Sequence, residues 1–369
     1  MKLSHLVLLA LLPLAPPLPG AEPFPAWAAK APNGDTVRIA VSPAGNPRFA
    51  HLAWPKAVRT ANGTIVLGYQ AGTHHGNQSC PAVSISTDGG KTFSPPQVLR
   101  EFGKGKDYEN SGNMALGLAH DGAVIMLSHG HTGDVTNHIF GWRSADSGRT
   151  WQPVDTSALG PDKTGSATGS IVQLPGKKLM AVGHYRGGSK PYTVGIWSSV
   201  SEDDGLTWGP PQMINNLNAG EPVIVRQGDR LLVFIRGRGP ASVRQYVSTS
   251  SDWGRTWQTD LLNILPQQKH TTVLPHPFAM VHPHRPDELL AITFERPLPG
   301  AAYLWRGNGK TLAFKPERTL LELPKIAGDT NTDFGYAWLV PMEGKRALVF
   351  YYHGSRSSTC PIWVLETTL

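Results

Sequence analysis

The sequence predicts an all-β fold, a six-bladed β-propeller over residues 35–369, from three observations. One phrase recurs as "STDGGKTF" at 86–93, "SADSGRTW" at 144–151, "SEDDGLTW" at 201–208 and "SSDWGRTW" at 250–257. Its aspartates, Asp88, Asp146, Asp203 and Asp252, stand 58, 57 and 49 residues apart, and repeats of this length that hold several strands build propellers. Strand-like alternation fills the spaces between them, as in "NGTIVLGYQ", "AVIMLSHG", "DRLLVFIRG" and "RALVFYYHG". The 40 glycines, 32 prolines and 11 tryptophans suit a turn-rich β protein.

In chain order, "MKLSHLVLLALLPLAPPLPGA" has a basic start at Lys2, an apolar stretch from Leu6 to Leu18 and small residues at Gly20 and Ala21. Residues 1–21 are therefore expected to be a signal peptide, giving a secreted or periplasmic protein. The stretch is too short and proline-broken to span a membrane, and no cysteine follows it as a lipid anchor. Residues 22–34 are expected to be a linker. Blades follow over 48–101, 110–159, 164–214, 218–265 and 270–323, the fifth with "GNGKTLAF" in place of the repeated phrase. The sixth unit, "TDFGYAWLVPMEGKRALVFYYHG…PIWVLE", is one strand short. "DTVRIAVSP" at 35–43 can supply that strand and remove the open edges.

The net charge of +7 is spread without a dense Lys/Arg run, which argues against nucleic acid. A basic exported protein suits an acidic glycan or an anionic surface, and charge for solubility alone is the other reading. A monomer without cofactor is expected. Cys80 and Cys360 sit in matching contexts, "QSCPAVSIS" and "STCPIWVLE". In an oxidising compartment they either bond across the closure or remain two buried thiols beyond reach.

The repeated phrase is turn chemistry. Its serine and aspartate can bond backbone amides, its glycine supplies a conformation other residues resist, and its aromatic packs back on the strands. This reading buries Trp151, Trp208 and Trp257. The copies resemble the Asp-box, or BNR repeat, of the sialidase (neuraminidase) superfamily, to which the chain is similar over essentially its whole length after the leader. The resemblance implies a sialidase-like propeller with the boxes away from the active site. It also implies three arginines gripping a substrate carboxylate, a tyrosine nucleophile activated by a glutamate, and an aspartate acid/base. Tyrosine-nucleophile sialidases depart from the usual two-carboxylate scheme. On this resemblance "AGEPVIVRQGDRLLVFIRGR" carries Glu221 and Arg236, with Arg238 two residues on, "LLAITFERP" carries Arg296, and "DTNTDFGYAWLVPMEGK" carries the nucleophile as Tyr336.

Two positions depart from that pattern. The family's first arginine is replaced in "AWPKAV" by Lys56, which brings charge without the planar fork. The loop "AGTHHGNQSC", where the acid/base aspartate belongs, has no carboxylate, so His74 or His75 would carry the proton. The rim expected from inner-strand entries and second-strand loops also holds His129, His184 and Tyr185, together with Trp54, His276, Asp333, Tyr352 and Arg356.

Three functions stay open. The first is an exo-α-sialidase-like glycosidase that releases an acidic terminal sugar. The second is a uronate-directed lyase using His129, His184, Tyr185, Arg236 and Tyr336, since elimination needs a neutralising cation, a base and an acid. The third is a non-catalytic glycan-binding propeller. No metal is expected, because neither His74-His75 nor His129-x-His131 has a third ligand at a regular offset.

Overall fold

The computed structural model describes residues 29–43, 45–133, 136–325 and 331–369. The expected signal peptide and residues 22–28 of the linker lie outside the described residues. Among the described residues, twenty-four strands form six four-stranded antiparallel blades. Blade 1 comprises His51–Arg59, Ile65–Gly72, Cys80–Ser86 and Gln97–Val98. Blade 2 comprises Asn110–Leu118, Val124–Thr132, Thr136–Ser144 and Gln152–Val154, and blade 3 Gly165–Gln173, Leu179–Tyr185, Ile196–Ser201 and Gln212–Asn215. Blade 4 comprises Ala219–Gln227, Arg230–Gly237, Gln245–Ser250 and Gln258–Leu261, and blade 5 Phe278–His282, Arg285–Glu295, Gly300–Asn308 and Phe314–Leu323. Blade 6 takes Thr332–Pro341, Arg346–Ser355 and Ile362–Thr368 from the end of the chain and Thr36–Val41 from its start, with Thr36 opposite Glu366 and Val41 opposite Ile362.

Each blade's first strand is innermost. Those of blades 2 and 3 touch in a short parallel ladder, Ala115–Gly117 against Gly169–Ile171. Second strands are sandwiched between blades, which is why "IVLGYQAG" is buried at every position. Outer strands such as Gln258–Leu261 face solvent and are polar. Among the described residues, no helix is long and apolar enough to cross a membrane.

The four boxes are one structure written four times. In the first, Ser86 Oγ donates to Asp88 Oδ1 at 2.8 Å and accepts the Gly90 amide at 2.9 Å. Asp88 also takes the Thr92 amide at 3.0 Å and its hydroxyl at 2.6 Å. Asp146, Asp203 and Asp252 repeat these bonds. In blade 5, Asn308 replaces the box and accepts the Lys310 and Thr311 amides, both at 2.9 Å.

One sequence expectation is corrected here, and one left open is answered. Of Trp151, Trp208 and Trp257, only Trp208 is buried, at 3% exposure. Trp151 and Trp257 are partly buried because each indole N–H closes its own turn, on the Gly148 and Gly254 carbonyls at 3.0 and 3.1 Å. Cys80 and Cys360 are buried but not bonded. The Cys80 sulfur is taken up by the Phe102 amide and Arg48, each at 3.2 Å, while Cys360 joins the seam through its backbone, paired with Ala50 and Leu52.

Candidate active site

The site arises from a repeated irregularity of the inner strands. Near one end of five of them the ladder slips, between Ala53 and Lys56, Ser111 and Met114, Thr168 and Ile171, Gly220 and Val223, and Gly335 and Trp338. Such bulges re-aim side chains. Trp54, Glu221 and Tyr336 occupy three of them at φ +59°, +51° and +58°, a left-handed conformation that costs a side chain roughly 1–2 kcal/mol. All three side chains thereby line one axial cleft of about 420 Å³.

Glycines at these bulges let a side chain of the next strand lie across the backbone. A Cβ on Gly112 would stand 1.9 Å from the His129 ring, and one on Gly220 would stand 2.4 Å from the Arg238 guanidinium.

The cleft centres on Glu221. Its Oε1 accepts the Tyr336 hydroxyl at 2.5 Å and its Oε2 accepts Arg236 Nη1 at 2.7 Å. Burial alone would raise the Glu221 carboxyl, but Arg236, His276 and the Tyr336 hydroxyl outweigh it and hold the group well below the usual carboxylate range. Burial, reinforced by the Glu221 carboxylate, pushes the Tyr336 phenol well above its ordinary value. Tyr336 is therefore a neutral phenol whose proton already points at a base. His276 packs against its ring at 5.0 Å between centroids.

On the adjoining side, His75 Nδ1 bonds Asp333 Oδ2, which also faces His51 Nε2 at 3.1 Å. Asp333 Oδ1 accepts the Tyr352 hydroxyl at 3.2 Å and lies 3.8 Å from Arg296 Nη2. Arg296 in turn donates to Tyr352 at 2.9 Å. Burial works against the Asp333 charge, but His51, His75 and Arg296 hold its carboxyl well below the ordinary range. The carboxylate absent from the His74-His75 loop thus arrives from blade 6.

His51, His75 and Asp333 bring their ligand atoms within 4.8 Å of one another, which could hold a metal ion. The Arg296 charge beside the same carboxylate opposes a cation, so the group reads as a hydrogen-bonded relay.

The far wall is built from histidine-anchored arginines. Arg238 Nη2 faces His184 Nε2 at 2.8 Å, and the Glu221 amide faces His184 Nδ1 at 3.2 Å. An imidazolium would present N–H groups to both donors, whereas a neutral ring accepts from one of them, so His184 is neutral, and burial pushes its titration well below the usual value. His129, likewise driven down by burial, meets Arg186 Nη1 at 3.2 Å and Ser166 Oγ at 3.1 Å. Five arginines (Arg186, Arg236, Arg238, Arg296 and Arg356) line the cleft, and among the described residues Glu221 is the only carboxylate that does.

Of the residues expected from sequence, Tyr336, Glu221, His75, Arg236, Arg238, Arg296, His129 and His184 come together here. Three do not. His74 is exposed and bonds Thr73 Oγ1 at 3.1 Å instead of facing the cleft. Tyr185 alternates away from His184 into the blade core, where burial pushes its phenol up to about 12. Lys56 lies below the bulge, fully buried against the Tyr336 and Trp338 rings, and cannot reach a ligand. His51 and Ser166 were not anticipated, and their chain context carries no signal for them. The rim reading included Asp333 and Arg356 without assigning either a role.

Six blades around a cationic cleft with a tyrosine–glutamate–arginine chain define a sialidase-like propeller. The chain belongs to the BNR repeat-like domain family, whose pattern matches residues 36–220. No curated protein matches it. Among solved structures, it resembles a protein of unknown function from Dyadobacter fermentans DSM 18053, with a TM-score of 0.69, 19% identity, and 92% of this chain and 99% of that one covered. The NanB sialidase of Streptococcus pneumoniae has a TM-score of 0.67 at 13% identity, with 90% and 70% covered. The α-L-arabinofuranosidase Arb93A of Fusarium graminearum has a TM-score of 0.63 at 11% identity, with 91% and 98% covered. At these identities the likeness is one of fold.

Proposed function

We propose that the protein is a retaining glycoside hydrolase that releases a terminal, carboxylate-bearing sugar from a glycan. The observation that carries this reading is the Tyr336–Glu221–Arg236 chain inside a cleft whose charge is otherwise cationic. A carboxylate nucleophile would be repelled by an anionic sugar, whereas a neutral phenol is not. Arg236 and Arg296, with Arg238 nearby, hold the sugar carboxylate through charge-assisted bonds.

Tyr336 Oη then attacks the anomeric carbon while its proton passes to Glu221. The bond to the leaving oxygen breaks, and that oxygen takes a proton from His75 Nε2, the nitrogen left over once Asp333 holds Nδ1. In the second half, His75 takes a proton from water, the water oxygen replaces Tyr336 on the sugar, and Glu221 returns the phenolic proton. Export through the leader over residues 1–21 fits a glycan substrate outside the cytoplasm.

The test is incubation with a sialoside, a uronate-ended oligosaccharide and an α-L-arabinofuranoside. Free acidic sugar with retained anomeric configuration is expected. An unsaturated product would replace hydrolysis with elimination, release of arabinose alone would remove the carboxylate from the argument, and binding without turnover would make the protein a lectin-like propeller.

A further inference from the structure

Lys56 has no part in the steps above, yet its ammonium packs on the ring of the nucleophile. Its Nζ stands 5.6 Å from the centroid of Tyr336 and 5.2 Å from that of Trp338. Its one hydrogen bond among the described residues is a 3.4 Å contact with the carbonyl of Pro55. Among the described residues, no carboxylate lies within salt-bridge distance of it. The ionisable groups around it are Glu221 from blade 4, with Arg236 behind, His276 ahead of blade 5, and Tyr336 from blade 6. A buried ammonium so poorly paired destabilises a fold.

We propose that Lys56 is a positioning residue for the Tyr336–Glu221 pair, its buried ammonium stabilising the negative charge that Tyr336 gathers as it gives up its proton. This rests on the hydrolase reading. A cation against the face of an aromatic ring interacts more strongly as the ring becomes a phenolate, and exclusion from water magnifies the effect. Burial also brings the Lys56 titration down to about 7, against the pull of Glu221. The charge is therefore present below neutral pH and lost above it, and the help given to Tyr336 goes with it.

Lys56→Met keeps the length and removes the charge. Protein labelled at lysine Cε should show one lysine titrating near pH 7, absent from Lys56→Met. In protein carrying 3-fluorotyrosine, the ¹⁹F signal lost in Tyr336→Phe should shift with that same midpoint in wild type and stay flat in Lys56→Met. Lys56→Met should melt at or above the wild-type temperature at pH 6, which separates this role from a structural one. On the acidic glycoside the wild type cleaves, kcat at pH 6 should fall about tenfold with KM within about twofold. A Tyr336 signal indifferent to Lys56, or full kcat in Lys56→Met, would overturn the proposal. If the wild type cleaves no acidic glycoside, the hydrolase reading fails, and the fluorine signal still decides whether Lys56 and Tyr336 are coupled.

Discussion

At the scale of single residues, the division of labour proposed for Tyr336 and Arg236 makes two substitutions informative together. Tyr336→Phe removes one oxygen and leaves the ring packed on His276, so the carboxylate grip should survive. Turnover should drop by at least about a thousandfold while a competitive acidic sugar still binds within a few-fold of wild type. Arg236→Lys keeps the charge but loses the guanidinium whose Nη1 meets Glu221 at 2.7 Å and whose planar fork suits a sugar carboxylate. It should therefore weaken both ligand binding and kcat. Initial-rate kinetics with calorimetry of the bound sugar separate the two, and a Tyr336→Phe enzyme with full turnover ends the nucleophile assignment.

These residues were legible because each sits in a stretch resembling a family motif. The partnership of His75 with Asp333 was not, because 258 positions separate them and only the closure of the ring brings them together. Lys56 was misread for a different reason. Its place in the motif argued for a ligand contact, but the bulge at Trp54 turns the cleft position over to the tryptophan and sends the lysine beneath.

At the scale of the strand, the bulges carry a sequence signal that charge and motif reading passed over. "SGNM", "AGEP" and "FGYA" each place a glycine before the residue that enters the cleft, namely Asn113, Glu221 and Tyr336. The glycine makes room for His129, Arg238 and Arg296 respectively. The boxes were easy to read because their bonds are local, running from Ser86 to Thr92 within one turn. The glycine pattern is harder because its reason lies on the neighbouring strand.

Gly220→Ala tests it. The new methyl would meet the Arg238 guanidinium and push it off His184, while Glu221 and Tyr336 keep their own bonds. KM for an acidic glycoside should rise about tenfold or more with a smaller change in kcat, since an interaction of about 1.4 kcal/mol is a factor of ten. Kinetics matching wild type would mean that Arg238 touches no substrate.

At the scale of the whole molecule, site and stability meet at the seam between blades 6 and 1. The relay from Asp333 to His75 and His51 crosses that seam, as do the Trp338 indole to the Ala57 carbonyl at 2.7 Å and Leu52 to Cys360 at 2.7 Å. No disulfide reinforces it. The strand Thr36–Val41 completes the last blade through five register pairs, Arg38 reaches the Gly90 carbonyl in the first blade's box, and Asp35 accepts the Thr367 hydroxyl at 2.6 Å. At about 0.5–1.5 kcal/mol for each net hydrogen bond, this strand contributes several kcal/mol, a large share of a domain's total stability. Removing residues 1–42 should therefore expose the Ile362–Thr368 edge, lower the melting temperature by roughly 10 °C or more and promote association through the open edge. Because the seam holds His75 against Asp333, the proposed cleavage activity should fall with the melting temperature, and a synthetic peptide spanning residues 34–43 should restore both. Calorimetry and light scattering with and without the peptide decide it: an unchanged transition in the truncated chain would mean the ring closes without its velcro strand and that the site's geometry is secured elsewhere.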